Sequence, residues 1–391
     1  MAEDWNSRTK AVHSGTRRSQ YGEMSEAIFL TQGFVYESAE AAESRFIAAG
    51  PDEYIYARYS NPTVTMFEER IASLEGSEDA FATASGMAAV SGALLAMLQA
   101  GDHVVSSRAL FGSCLYVLEE VLPRFGVEVT FVDGTALDQW QNALRPTTKA
   151  IFCESIANPT LEIIDIVSVS KMAHAVGATV IIDNVFVTPV FSDAVRQGAD
   201  VIIYSATKHI DGQGRALGGV ILGTSEFIRG TVEPFMKHTG GAMSPFNAWV
   251  MLKGLETINL RVNAQADTAL FLANRLCNHE RIRRVIYPGH QSHPQHALAK
   301  KTMMKGGSVL SIEVTGGKEG AFRFLNDLKI AKISNNLGDA KTIATHPGTT
   351  THQRLTQEQR DHLGISPELI RISVGLEDPQ DILDDVLSAL A

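Results

Sequence analysis

The sequence predicts an α/β protein with a mostly parallel central sheet, an N-terminal arm and a smaller α+β domain at the C-terminal end. Across 79–223, short apolar runs alternate with helical patterns, which is typical of parallel strands covered by helices on both faces. After a long helical stretch at 243–276, the runs RRVIYPG, SVLSIEVTG, AFRFLNDL and LIRISVG follow in a different order. This change of pattern predicts the second, smaller domain.

Three segments are expected along the chain: an arm at 1–62, a larger α/β domain at 63–250 and the C-terminal domain at 251–391. The arm mixes Ser, Gly, Ala and Glu with little periodicity, which favours an extended segment that reaches a neighbouring subunit. In the larger domain, a helical pattern at 63–76 leads to a short strand, a glycine turn and an apolar helix at 86–100.

The other strands predicted for the larger domain are HVVSS, VEVTFVD, KAIFCES, ATVIIDN, DVIIYSA and GGVILG. In a sheet of this kind, ligands bind beyond the carboxyl ends of the strands. Polar residues that end these runs are therefore the first candidates for a functional site.

Composition restricts the classes of partner. The formal net charge of -10 gives no global attraction to nucleic acid or to an anionic membrane. The N-terminal segment has no apolar signal region, and no run reaches the length that spans a bilayer. Cys114, Cys153 and Cys277 lie far apart without metal-ligand spacing, so neither a disulfide framework nor a zinc site is expected. We expect a cytoplasmic protein with small-molecule partners.

Two charged residues lie at or just beyond the ends of predicted strands. Lys208 stands in SATKHIDGQGR, directly after DVIIY. A lysine that is partly desolvated near other cations loses proton affinity, as a Schiff-base amine requires, although it could also be a surface lysine at a helix start. Asp183 ends the strand TVIID, where a carboxylate can hold a pyridine nitrogen protonated or simply cap the next turn. Together the two residues favour the cofactor interpretation.

The turn Ser85-Gly86-Met87 joins a predicted strand to a predicted helix. Glycine lets the backbone approach a ligand, and the amides and dipole at a helix start favour a phosphate. Ser205 and Thr207 offer further phosphate donors after another strand, or caps for a helix. A glycine turn is also common without a ligand, so its assignment depends on the other motifs.

Seven stretches in a shared order resemble the Cys/Met-metabolism family of fold-type I pyridoxal-phosphate (PLP) enzymes over nearly the whole chain: YIYARYSNPT, ASGMAAV, ESIANPT, VIIDNVF, SATKHIDGQGRALGG, THPGTTTH and LIRISVGLED. The resemblance implies a fold-type I PLP-dependent transferase that is at least a dimer and commonly a tetramer, as a dimer of dimers. It also implies that Lys208 holds PLP as a Schiff base and that Asp183 pairs with the pyridinium nitrogen.

The resemblance further implies a phosphate site. Its members in the same chain would be Gly86, Met87, Ser205 and Thr207. Tyr56 and Arg58 would complete the site from the adjacent subunit, and the planar fork of an arginine suits phosphate oxygens. From the residues alone, Tyr56 and Arg58 could equally be ordinary polar residues of the arm.

For the substrate, the resemblance implies that Arg371 and Asn158 hold the α-carboxylate, with Tyr56 also in contact. From the residues alone, Arg371 could be an edge-strand surface residue, and Asn158 before Pro159 a turn residue. Phe111 stands where relatives usually place a tyrosine on the cofactor ring, so stacking is kept while the phenol that could move protons is lost.

Within the family, KHIDGQGR and NNLGDAKT resemble O-succinylhomoserine sulfhydrylases. This implies γ-replacement of O-succinylhomoserine by sulfide, giving homocysteine and succinate in methionine biosynthesis. Cystathionine γ-synthase and O-acetylhomoserine sulfhydrylase remain alternatives. Asn335 and Asn336 stand where cystathionine γ-lyases carry Glu-Ser, which disfavours a lyase. Lys341 and Arg215 are candidates for binding an acidic leaving group, or solvated cations.

From another class, a non-catalytic PLP-binding protein is the alternative. Lys208, Asp183, Arg371 and the phosphate set argue against it, because all of them are retained.

Overall fold

Two sheets organise the protein, whose computed structural model describes residues 5–50 and 52–391. The central sheet contains β1 (Asp79–Thr83), β2 (His103–Ser107), β3 (Glu128–Val132), β4 (Thr148–Glu154), β5 (Thr179–Asp183), β6 (Val201–Tyr204) and β7 (Gly219–Gly223). Its strand order is β1-β7-β6-β5-β4-β2-β3. Strands β2, β3, β4 and β5 pair in parallel, and β1 pairs antiparallel with β7. The predicted mostly parallel sheet is confirmed.

These strands form because their apolar side chains are covered on both faces. Every residue of β2 and β7 is buried, and β4 exposes only Lys149. Such two-sided burial is the pattern of parallel strands between helices. In the register of β4 with β5, Glu154 lies opposite Asp183, so two carboxylates end neighbouring strands side by side.

In chain order the helices are α1 (Ser7–His13), α2 (Ala39–Ile47), α3 (Pro62–Glu75), α4 (Gly86–Met97), α5 (Gly112–Tyr116), α6 (Leu137–Ala143), α7 (Ile166–Ala175), α8 (Thr188–Phe191), α9 (Ser225–Phe227), α10 (Glu233–Thr239), α11 (Pro245–Glu256), α12 (Ile258–Leu276), α13 (His296–Thr302), α14 (Gly317–Asp327), α15 (Gln357–His362) and α16 (Pro379–Leu390). The helical stretch expected at 243–276 is two helices, because Thr257 (φ -112, ψ 3) leaves the helical conformation. Among the described residues, no helix combines the length and the apolar character needed to span a bilayer.

The described chain forms two compact units. One contains the described residues up to Met97 together with Ile203–Asp211 and Arg215–Asn259, and the other contains Leu98–Ile202, Gly212–Gly214 and Leu260–Ala391. The boundaries after residues 62 and 250 that the sequence suggested stay a prediction.

In the first unit, the N-terminal segment has more regular structure than the extended arm expected from its composition. It contains α1 and α2. Directly after α1, the carbonyl of Ser14 accepts a hydrogen bond from Arg70 Nε at 2.8 Å. Arg70 is fully buried and also donates to Glu26 at 2.6 Å, while Lys253 Nζ donates to the other Glu26 oxygen at 2.6 Å. A buried charge is costly unless it is paired, so these bonds anchor the segment from Ser14 to Glu26.

In the second unit, the C-terminal sheet contains β8 (Ile282–Ile286), β9 (Val309–Val314), β10 (Lys332–Ile333), β11 (Ile343–Thr345) and β12 (Leu369–Ser373), in the order β10-β11-β12-β9-β8. Apolar residues of α12, α14 and α16 pack on this sheet in one core, which includes Phe324, Leu272 and Val386. Because β12 lies between β11 and β9, Arg371 belongs to an interior strand.

Candidate active site

An acidic cluster lies at the ends of β4 and β5, with Glu154 buried and Asp183 half-buried. Glu154 is 4% exposed, and ligand atoms of Glu154, Asp183 and Cys114 all lie within 4.8 Å of one another. Burial and the neighbouring Asp183 raise the pKa of the Glu154 carboxyl, and burial raises the pKa of the Cys114 thiol well above its usual range. Two carboxyl groups held together, one of them buried, favour a cationic group beside them.

Glu154 joins two segments that carry predicted site residues. Its Oε1 accepts a hydrogen bond from the backbone amide of Phe111 at 2.6 Å, and its Oε2 accepts one from the amide of Asn158 at 3.1 Å. Glu154 is not among the site residues predicted from the sequence. Its signal was available, since Glu154 is the polar residue that ends the apolar strand KAIFCE, as Asp183 ends TVIID.

Arg371 and Asn158 form a direct pair. Arg371 is 1% exposed, its Nη1 donates to Asn158 Oδ1 at 2.8 Å, and its Nη2 donates to the carbonyls of Asn335 and Asn336 at 2.9 and 3.0 Å. The possibility that Arg371 is a surface residue is therefore wrong. Burial lowers its pKa to about 10, although Glu154 acts in the opposite direction, so the guanidinium stays charged at neutral pH.

One donor of this guanidinium remains open. Arg371 Nε is buried and has no hydrogen-bond partner among the described residues. A buried N–H without a partner is costly and calls for an acceptor. A carboxylate suits this donor, because a hydrogen bond between a guanidinium and a carboxylate is about twice as strong as a neutral one.

In the first unit, the turn at Gly86 brings two segments into close contact. A Cβ on Gly86 would lie 2.6 Å from Ser205 Cβ, so only glycine fits without a shift. Ser85 Oγ accepts from the Ala88 amide at 3.1 Å and caps α4, whose first residues are Gly86 and Met87. A capped helix start in contact with a serine suits an anion such as a phosphate.

Lys208, Ser205 and Thr207 lie in the turn that follows β6. The Lys208 amide donates to the Ser205 carbonyl at 3.1 Å, and Lys208 is half-buried. The Thr207 hydroxyl donates to the Gly218 carbonyl at 3.2 Å and accepts from the Gly218 amide at 3.1 Å. Thr207 is thus held by the start of the next strand, and its assignment as a phosphate ligand stays a prediction.

Tyr56 and Arg58 lie near each other in the N-terminal segment. The Arg58 guanidinium lies 5.3 Å from the centre of the Tyr56 ring and 5.0 Å from that of Tyr59, and Arg58 Nη1 donates to the Lys237 carbonyl. Their expected contribution to the site of an adjacent subunit stays a prediction.

The chain is similar to known proteins over its full length. The family model described as Cys/Met metabolism PLP-dependent enzyme matches residues 8–391. An O-succinylhomoserine sulfhydrylase of Mycobacterium tuberculosis is 50% identical over 387 residues, which cover 98% of this chain and 95% of that protein. One of Pseudomonas aeruginosa is 45% identical over 383 residues, covering 98% and 94%.

Two solved structures have the same fold. The crystal structure of metB from Corynebacterium glutamicum has a TM-score of 0.94 and 30% identity, covering 100% of this chain and 99% of that chain. A Campylobacter jejuni protein, assigned as a candidate O-acetylhomoserine (thiol)-lyase and solved with a pyridoxyl-lysine phosphate, has a TM-score of 0.94 and 30% identity, covering 99% and 100%.

Fold and relatives together define an α/β enzyme that uses PLP. The chain belongs to the Cys/Met-metabolism family of PLP-dependent enzymes, as the sequence motifs predicted. The residues present fit that cofactor, because the half-buried carboxyl of Asp183, beside Glu154, suits a cationic ring nitrogen, and the tight turn at Gly86 in the first unit suits a phosphate.

Proposed function

We propose that the protein catalyses γ-replacement of O-succinylhomoserine by sulfide, which yields homocysteine and succinate for methionine biosynthesis. The observation that carries the proposal is 50% identity with an O-succinylhomoserine sulfhydrylase across 98% of the chain. In the reaction, the bond between the γ-carbon and the ester oxygen breaks, succinate leaves, and a bond between the γ-carbon and sulfur forms.

The residues proposed to bind the cofactor are those that the family resemblance implies. Lys208 would hold PLP covalently, Asp183 would pair with its ring nitrogen, and Phe111 would stack on the ring. The phosphate would be bound by Gly86, Met87, Ser205 and Thr207, with Tyr56 and Arg58 of an adjacent subunit. When bound, PLP supplies an electron sink for the electrons left behind when the α-proton is removed.

The chain supplies substrate placement and proton transfer. Arg371 and Asn158 would orient the substrate through its α-carboxylate, using the open Nε of the guanidinium. Once released from the cofactor, the Lys208 amine would remove protons from the α- and β-carbons of the substrate and return them later in the reaction. Phe111 has no hydroxyl and cannot share this task, so Lys208 would act alone where relatives have a tyrosine nearby.

We also propose that the protein is a homo-oligomer, a tetramer built as a dimer of dimers, in the cytoplasm. Several large apolar residues of the N-terminal segment are exposed in the single chain, among them Tyr21, Met24, Leu30, Val35 and Ile47. An exposed apolar set of this size is typical of a segment covered by a partner. A second copy of the chain is the partner that the proposed role of Tyr56 and Arg58 requires.

Product analysis tests the reaction. The PLP-loaded protein is given O-succinylhomoserine or O-acetylhomoserine, each with sulfide or with cysteine, and homocysteine and cystathionine are quantified, with Lys208→Ala as the blank. Homocysteine from the succinyl ester and sulfide is the expected product. Predominant cystathionine would identify a γ-synthase, preference for the acetyl ester an O-acetylhomoserine sulfhydrylase, and no turnover would reject all three.

A lyase is a second candidate, since an L-methionine gamma-lyase of Fusobacterium nucleatum is 39% identical over 98% of this chain. Methionine is therefore included as a substrate, and methanethiol release at a rate above that of homocysteine formation would favour this alternative. A visible absorption band that forms with PLP but does not shift with any amino acid would support a non-catalytic protein instead.

Recognition of the succinyl group is proposed to involve Lys341 or Arg215. Lys341 is exposed, with Nζ 3.6 Å from Asp339, whereas Arg215 Nε donates to the buried Asp211 at 2.8 Å. Lys341 is the freer cation of the two. An unchanged KM for the succinyl ester in Lys341→Ala and Arg215→Ala would reject the idea.

A further inference from the structure

Glu154 has a carboxylate that none of the roles above uses. It is buried at the end of β4, and each of its oxygens accepts one backbone amide, from Phe111 at 2.6 Å and from Asn158 at 3.1 Å. Glu154 thus contacts both the segment that carries the ring-stacking residue and the loop that carries the carboxylate-binding residue. The two amides come from different parts of the chain, and the Glu154 side chain joins them.

We propose that Glu154 is a positioning residue whose carboxylate fixes the backbone of Phe111 and Asn158, so that the ring-facing and carboxylate-facing side chains of the site keep one geometry. The inference rests on the proposed roles of those two residues. It assigns to Glu154 no contact with substrate and no proton transfer.

The Asn158 loop shows what this bridge would contribute. Asn158 Oδ1 accepts from Arg371 Nη1 at 2.8 Å, and the next residue, Pro159, accepts at its carbonyl from Ser311 Oγ at 2.9 Å. Arg371 and Ser311 lie side by side on β12 and β9. The loop is therefore tied to the C-terminal sheet on one side, and Glu154 ties it to the central sheet on the other.

The Phe111 segment is fixed in the same way. The Leu110 carbonyl accepts from His352 Nε2 at 3.3 Å, while the Phe111 amide donates to Glu154. Burial lowers the pKa of His352 to about 4, so its imidazole is neutral and can act as this donor. Losing the bond to Glu154 would leave the Phe111 amide without its acceptor at the start of α5.

A carboxylate is required because both partners are donors. A glutamine could accept one amide through its carbonyl oxygen, but its NH₂ group would face the other amide and could not accept from it. An aspartate keeps two acceptor oxygens but is one methylene shorter, so it cannot span both amides. The two variants Glu154→Gln and Glu154→Asp therefore separate the number of acceptor oxygens from the reach of the side chain.

The matched control is Asp385, another buried carboxylate that accepts backbone amides. Its carboxylate accepts hydrogen bonds from the amides of Lys329, Ile330 and Ala331 at 2.7, 2.9 and 3.0 Å. Asp385 lies in α16, in the second unit. Asp385→Asn should lower the urea midpoint as the Glu154 variants do. It should leave ligand binding and turnover by the loaded enzyme unchanged, because Asp385 touches neither Phe111 nor Asn158.

The experiment measures two quantities on the PLP-loaded proteins. The first is the dissociation constant for L-norleucine, an α-amino acid without a leaving group, from the change in visible absorption. The second is KM and kcat for O-succinylhomoserine with sulfide. In Glu154→Gln and Glu154→Asp, the dissociation constant and KM should each rise about tenfold, as expected when a buried amide loses its acceptor, with kcat changing much less.

Values within twofold of wild type in both variants, with a lower urea midpoint like that of Asp385→Asn, would show that Glu154 only stabilises the fold. A normal Glu154→Asp beside a defective Glu154→Gln would show that the reach of the side chain does not matter; either result overturns the proposal. If the wild type makes no homocysteine, the proposed reaction fails, and the norleucine titration still tests Glu154.

Hydrogen exchange on the loaded wild type gives an answer that needs no variant. The amides of Phe111 and Asn158 should exchange as slowly as those of β4, because each is bonded to a buried carboxylate. Exchange of either amide at the rate of an exposed loop would contradict the proposed bridge.

Discussion

Arg371 Nη1 and Asn158 Oδ1 lie 2.8 Å apart, although the two residues are 213 positions apart in the chain. The same guanidinium is fully buried, holds two backbone carbonyls through Nη2 and keeps Nε without a partner among the described residues. An arginine fixed on two of its three nitrogens, with the third open, is organised before a carboxylate arrives. Such preorganisation reduces the entropy that binding would otherwise cost.

Replacement of Arg371 by lysine should therefore damage substrate binding while keeping the charge. An ammonium cannot reproduce the planar fork or hold Asn158 and the two carbonyls together. We expect KM for O-succinylhomoserine to rise about a hundredfold, since removing one partner of a buried charged pair costs on the order of 2–5 kcal/mol. Steady-state kinetics on the PLP-loaded variant measure this.

The control for that variant is Arg283→Lys. Arg283 is 60% exposed and pairs with Glu368 at 2.7 Å, so its loss should leave KM within twofold of wild type. A KM for Arg371→Lys within threefold of wild type would contradict the proposed role in carboxylate binding.

Stability should depend on Glu26, which bonds the buried Arg70 and Lys253. Glu26→Gln leaves the Arg70 charge buried with a weaker partner. We expect the free energy of unfolding to fall by about 2–4 kcal/mol, near the range for breaking a buried ion pair. Urea unfolding followed by far-UV circular dichroism measures the change.

Glu53→Gln is the matched control, because the pair of Glu53 with Arg45 is partly exposed and 3.6 Å long. Its loss should cost less than about 1 kcal/mol. Equal losses for Glu26→Gln and Glu53→Gln would mean that burial adds nothing to the Glu26 cluster.

Acid should remove the contribution of Glu26. Burial raises the pKa of its carboxyl, but the hydrogen bonds from Lys253 and Arg70 outweigh burial and bring it from 4.5 to about 2. The folded state therefore binds this proton more weakly than the unfolded state. The stabilisation is complete above the unfolded pKa and is lost as the pH falls from 4.5 towards 2.

The measurement is the difference in urea midpoint between wild type and Glu26→Gln. It should be largest near about pH 6 and smaller at about pH 3.5, because Glu26 in the unfolded wild type then holds its proton for most of the time. A difference that is constant with pH would show that the two hydrogen bonds do not depend on the charge of Glu26.

Gly86→Ala should weaken PLP binding. The added Cβ would lie 2.6 Å from Ser205 Cβ, so the turn or the segment after β6 must shift. We expect the dissociation constant for PLP to rise at least about tenfold, because the proposed phosphate ligands depend on that close approach. Titration of the apoprotein with PLP, followed by absorption, measures it.

Gly230→Ala is the control, since a Cβ there would meet nothing within 4 Å and the position lies in a helical turn. It should bind PLP as the wild type does. Normal PLP affinity in Gly86→Ala would argue against a phosphate at the start of α4.

The amino-acid sequence by itself determined the seven strands of the central sheet, the family and the places of Lys208 and Asp183 after or at the end of two of those strands. Runs such as TVIID and DVIIY are apolar throughout, and the polar residues that end them stand out without any knowledge of neighbours. Periodicity and short motifs are local properties, so they can be read from consecutive residues.

Only the tertiary structure decided the rest. It placed Arg371 on an interior strand, joined Phe111 to Asn158 through Glu154, and packed the segment around Ser14 against Arg70. The sequence could not show these features, because the burial of a charge and the choice of its partner depend on residues that sheet pairing brings together from distant parts of the chain.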